Sequence, residues 1–126
     1  MTDEKIRLVK DKITRAQSKE AFIARWYEMT LCEQMGNIGS EVGRAHNWQK
    51  KNNIVQRDKS LDRAFDLLDI TLDDPRWRVY PGRLREICLA RELLADTFWG
   101  SREHGDTAQG LEKYFFQFAL AARAGK

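Results

Sequence analysis

Proline is nearly missing from this chain. Only Pro75 and Pro81 occur, so one short stretch is barred from continuous helix and the rest of the 126 residues is free to adopt it. Cysteine and histidine are equally scarce, two of each. Cys32 and Cys88 stand in separate apolar stretches without the spacing of a zinc or redox pair, and they read as reduced core residues. Two cysteines and two distant histidines do not make a four-ligand zinc site. His46 and His104 follow Gly43 and Ser101 at three residues' distance, so the Glu-x-x-His pairs of a di-iron bundle are missing. No phosphate-cradling Gly-x-x-x-x-Gly-Lys motif is present. Nothing here calls for a cofactor.

Long apolar runs are lacking too. None approaches the roughly 20 residues that a membrane span needs, and the first residues, Met-Thr-Asp-Glu-Lys, are polar. A soluble, cytoplasmic chain with no membrane partner is therefore expected. Charge of one sign is scarce as well, since 22 Lys and Arg meet 19 Asp and Glu for a formal +3. Nucleic-acid contact is permitted by that surplus but not required by it.

Amphipathic helical patterning, by contrast, is abundant. Thr2 can cap a short first helix bearing Ile6, Val9, Ile13 and Ala16. Ser18 is the next cap candidate, opening a long helix toward Lys50 with Phe22, Ile23, Trp26, Leu31, Ile38 and Val42 near a 3.6-residue period. That stretch contains Gly36, Gly39 and Gly43, each costing roughly 1 kcal/mol against alanine in a helix. Two readings fit: a small-residue groove that admits another helix closely, or a kink or end near Gly36.

Asp58 or Ser60 opens a third helix with Leu61, Ala64, Phe65, Leu68 and Leu72, ended by Asp73-Asp74-Pro75. A loop from Arg76 to Gly82 carries Trp77 and Tyr80. Pro81 suits the first turn of a fourth helix, with Leu84, Ile87, Cys88, Leu94 and Phe98 before a terminating Gly100. After a polar loop at Ser101–Asp106, Asp106 or Thr107 caps a fifth helix with Leu111, Tyr114, Phe115 and Phe118. No strand pattern, repeat or linker competes. The expectation is one all-α domain over residues 1–126, an antiparallel four-helix bundle with an additional short N-terminal helix.

Three features carry potential chemistry. Asp62, Asp66, Asp69 and Asp73 align on one stripe of the third helix, about 100° from its apolar face. Magnesium-dependent nucleotide hydrolases use such stripes, usually Glu-x-x-Glu, with a partner set on another helix; here that set would have to be Glu86, Glu92 and Asp96, which do not reproduce the spacing. A solvated or ion-paired face is the simpler reading. Basic residues gather in mid-chain: Arg44, Lys50, Lys51, Arg76, Arg78, Arg83 and Arg85, with Trp48 and Trp77 interleaved. Guanidinium forks and flat rings suit phosphate contact and base stacking, and they equally suit a solvated face with tryptophans plugging the bundle ends. Finally, the run Tyr114-Phe115-Phe116-Gln117-Phe118 is too broad for one buried stripe, so the last helix is either central or covered in a homo-oligomer.

The segments Gln34–Ala45, Ala64–Asp69, Arg91-Glu92 and Tyr114–Ala119 resemble those of a family of small uncharacterised bacterial helical-bundle proteins. In size, helix order and charge the chain is also remotely similar to the intervening-sequence and accessory variability determinant four-helix bundles, basic ring-forming proteins. The short N-terminal helix is a departure from them. The basic, aromatic-bearing surface on such a bundle suggests a non-enzymatic oligomeric interaction protein, an accessory factor for RNA, DNA or a nucleic-acid-handling protein. Recruitment of a single protein partner by a purely structural bundle is the further alternative.

Overall fold

The computed structural model describes residues 2–100 and 107–124. Six helices account for nearly all of them, and no strand occurs among the described residues: α1 Asp3–Trp26, α2 Leu31–Lys50, α3 Ile54–Leu72, α4 Pro75–Arg78, α5 Pro81–Trp99 and α6 Ala108–Ala124.

The first helix is not short. Ser18 caps nothing; α1 runs through it, and the chain breaks instead at Tyr27–Thr30. The reason is local competition between caps. Thr30 forms a full capping box, its hydroxyl accepting from the Glu33 N–H at 3.1 Å while the Glu33 carboxylate accepts from the Thr30 N–H at 3.1 Å. Ser18 has no such partner three residues on, because position 21 is Ala.

The second break begins after Lys50, as the sequence suggests, but it spans only Lys51–Asn53, so α3 opens at Ile54 rather than at Asp58 or Ser60. Asn52 adopts a left-handed φ of 59°, one of the few side chains that tolerates it. The Asn53 N–H donates to the Trp48 carbonyl at 2.9 Å and the Asn52 N–H to Gln49 at 3.0 Å, closing α2. The Asn53 side chain then accepts from Gln56 N–H at 3.1 Å and starts α3. Pro81 does open α5, and the segment after Pro75 is a single helical turn rather than a plain loop. The Ser101–Asp106 loop, with His104 and the Asp106 cap, lies outside the described residues.

Opposed residues run in reverse order along neighbouring helices. Along α2 and α3 Glu41 meets Arg63 and Gln49 meets Arg57, and Gln34 meets Asp74 just past the end of α3. On α2 and α6 Gly36 faces Ala119, Gly39 faces Phe115 and His46 bonds Glu112 at 2.8 Å. Phe65 stacks on Trp99 and Asp69 pairs with Arg91 between α3 and α5. These contacts enclose Met35, Ile38, Val42, Leu61, Leu68, Ile87, Leu94, Leu111 and Phe115, all fully buried. Cys88 is exposed, not a core residue, because it sits one position past the buried Ile87 on the outer side of α5.

One end of this body is closed by polar groups that satisfy one another. The Trp26 indole N–H donates to Thr71 Oγ1 at 2.9 Å, and the Trp77 indole N–H donates to Gln34 Oε1 at 2.8 Å. The Gln34 amide donates to the Trp26 carbonyl at 2.9 Å and to Asp74 Oδ2 at 3.2 Å. Arg76 completes the set, donating to Asp74 Oδ2 at 2.6 Å and to the Met29 carbonyl at 2.8 Å. Burial raises the Asp74 pKa, but hydrogen bonds from Arg76 and Gln34 and the Arg76 charge outweigh it and hold the carboxyl below its ordinary value.

Candidate nucleic-acid interface

The basic residues singled out in the sequence do not form one surface. They fall in three places. Trp48, Lys50 and Lys51 lie at the C-terminal end of α2, with Lys51 Nζ 5.2 Å above the half-buried Trp48 ring. Arg44 lies midway along α2, bound to Glu41 Oε1 at 2.6 Å. Arg76, Arg78, Arg83 and Arg85 gather at the corner of α4 and α5, beside Gln34 near the start of α2. Sixteen residues of helix, about 24 Å, separate Gln34 from Lys50. Sequence proximity hid this, because α3 carries the chain the length of the body between the two groups.

Members of the corner differ in what they are free to do. Arg76 is committed to Asp74 and Met29. Trp77 is only 5% exposed, with Arg76 4.4 Å and Arg83 5.2 Å from its ring centroid, so its faces are covered and it offers no platform to a base. The ring available there is Tyr80, 52% exposed, which Arg83 also overlies at 4.8 Å. Arg78 makes a 3.3 Å contact with Asp73, both well exposed, and Arg83 and Arg85 are exposed.

Gly36, Gly39 and Gly43 sit on the face of α2 that meets α6. A Cβ on Gly39 would lie 2.6 Å from Phe115 Cβ, and one on Gly36 3.2 Å from Ala119 Cα. Gly43 is looser, its nearest neighbour being Glu112 Oε1 at 3.8 Å. Along this seam runs a groove of about 480 Å³ bordered by Lys113, Phe116 and Arg123. Phe116 and Leu120 of α6 remain half exposed.

The aspartate stripe lies open to solvent. Asp69 pairs with Arg91 at 2.8 Å, and that hydrogen bond raises the Arg91 pKa further. Asp66, Asp69 and Asp73 border a cleft of about 800 Å³ whose opposite side holds Glu41 of α2. Glu41 is a second-helix carboxylate, though not one the sequence nominated. Its two oxygens go to Arg44 and, at 3.0 Å, to Arg63. Among the described residues no three His, Cys, Asp or Glu side chains come together to hold a metal ion. Glu86, one of the three nominated carboxylates, instead accepts from the Tyr114 hydroxyl. Burial first, then this bond and the Glu86 charge, pushes the Tyr114 pKa up.

Helix α1 supplies what sequence reasoning missed. Its Lys5, Arg7, Lys10, Lys12, Arg15, Lys19 and Arg25 oppose only Asp3, Glu4, Asp11 and Glu20, a surplus equal to the whole chain's +3. The residues outside α1 are therefore balanced in charge. Counting charge by helix would have shown it, had the first helix been given its full length.

No family model, curated protein or solved structure matches the chain. Among the described residues no helix is long and apolar enough to cross a membrane.

Proposed function

We propose that this chain is a non-enzymatic, cytoplasmic interaction protein, an oligomer built on an antiparallel four-helix bundle of α2, α3, α5 and α6. Its α4–α5 corner engages the phosphates of a nucleic acid or the surface of a nucleic-acid-handling protein. The observation that carries this reading is the density of exposed cations there. Arg78, Arg83 and Arg85 lie within eight residues beside the exposed Tyr80, on a corner held rigid by the Gln34–Asp74–Arg76 network. Guanidinium groups presented on a fixed frame lose little freedom when they bind phosphate. Arg76 and Trp77 support the corner from behind rather than touching the ligand. Lys50, Lys51 and Trp48 form a separate patch, about 24 Å away, that a long strand would reach but a short one would not.

Fluorescence anisotropy with labelled single-stranded RNA and DNA tests the reading. Affinity should fall steeply between about 50 and 200 mM salt. Replacing Arg83 and Arg85 together by alanine should reduce the salt slope by about two. Absence of binding at low salt, or binding indifferent to both salt and the double substitution, refutes it.

A further inference from the structure

Helix α1 has no partner along most of its length. Every residue from Thr2 to Phe22 is exposed, including Ile6 at 38%, Val9 at 51% and Ile13 at 52%. With Ala16 these recur at intervals of three and four, and Ile23 follows seven residues on, one apolar stripe along a helix about 36 Å long. A stripe of that kind gains stability only when something covers it.

The chain's own body cannot do so. Where α1 ends, its exit is tied down at three points: Trp26 to Thr71, the Tyr27 hydroxyl to the Ile70 carbonyl at 3.0 Å, and the Met29 carbonyl to Arg76. The helix is continuous from Asp3 to Trp26, so no hinge folds it back. Beneath it stands the cleft of about 800 Å³, floored by Phe22, Ile23, Trp26, Leu67 and Ile70.

We propose that this cleft receives α1 of a second copy, the two arms exchanging reciprocally about a two-fold axis. Charge favours it. Lys5, Lys12 and Lys19 repeat every seven residues beside the apolar stripe, and α3 lines the cleft with Asp66, Asp69 and Asp73. Arg44 of α2 and Arg63 of α3 share the single carboxylate of Glu41, and with Lys19 the lining carries three cations against four carboxylates, a net −1 opposite the arm's +3. The arm carries the whole net charge of the chain and the remainder carries none. A closed two-fold exchange fills both clefts and leaves no unpaired end for further copies.

Sedimentation of the full chain from about 1 to about 100 µM, without nucleic acid, is the test. The chain should be a dimer, and Ile13→Glu should raise its dissociation constant at least about 100-fold. Position 13 is exposed within one chain, so circular dichroism of this variant should stay helical. Lys12→Glu and Asp66→Lys should each weaken the dimer, and the two combined should recover part of the loss. A monomer throughout the range overturns both this inference and the oligomeric part of the function proposed above. A dimer indifferent to Ile13→Glu overturns the inference alone and moves the interface elsewhere, the half-exposed face of α6 included. Sensitivity to Ile13→Glu with no effect of Asp66→Lys and no recovery means arm-on-arm pairing, and the cleft is then not the receptor.

Discussion

Gly36, Gly39 and Gly43 offer a graded test of how α2 and α6 are held together. In an unconstrained helix each Gly→Ala change should stabilise by roughly 1 kcal/mol, because alanine forfeits less backbone entropy. Against this stands whatever the new methyl meets. At Gly43 the neighbour is a carboxylate oxygen at 3.8 Å, an ordinary contact at the flexible end of Glu112, so most of the gain should survive. At Gly36 the methyl would sit 3.2 Å from Ala119 Cα, and a few tenths of an ångström of movement should bring the sum near zero. At Gly39 it would lie 2.6 Å from Phe115 Cβ, about 1 Å inside the usual carbon–carbon separation. Phe115 is fully buried and its Cβ moves only with the backbone of α6. Separating the helices costs on the order of 1–3 kcal/mol. Urea unfolding followed by circular dichroism should therefore rank Gly43→Ala above wild type, Gly36→Ala close to it, and Gly39→Ala lowest, up to about 2 kcal/mol below wild type. One common sign for all three, or a stabilised Gly39→Ala, would show that α6 does not approach α2 this closely.

Two other tests address caps and the buried network. Thr30→Ala removes the hydroxyl half of a capping box, leaving the backbone N–H on Glu33, and should cost about 1 kcal/mol, whereas Ser18→Ala lies inside α1 and should be neutral or slightly stabilising; the reverse order in thermal unfolding would restore a helix start at Ser18. Asp74 has a depressed folded-state pKa, so its contribution is complete above the unfolded value near 4 and fades as the pH falls through the lower folded value. Stability measured downward from about pH 5 should decline, and Asp74→Asn should be less stable at neutral pH with a flatter acid limb; an unchanged limb would remove Asp74 from the network.

Helical class was plain from the chain itself. Scarce proline, the 3.6-residue recurrence of Met35, Ile38, Val42 and Ala45, and Pro81 at a helix start are local facts, and local backbone preferences act on them without knowledge of the fold. Cap strength was legible in principle too, since Thr30-x-x-Glu33 is a better start than Ser18 with Ala21 three residues on. What neighbours decide was not legible. Trp77 and Tyr80 are aromatics of one short stretch among arginines, yet one plugs the core and the other meets solvent, because only Trp77 finds Gln34, 43 residues away in sequence, to accept its N–H. The same holds for the basic set, which α3 divides between opposite ends, and for α1, whose apolar stripe looks like any buried face until the body beneath is seen not to reach it. Periodicity records which side of a helix prefers to leave water; which surface receives that side depends on contacts between distant segments, and those are fixed only when the chain closes on itself.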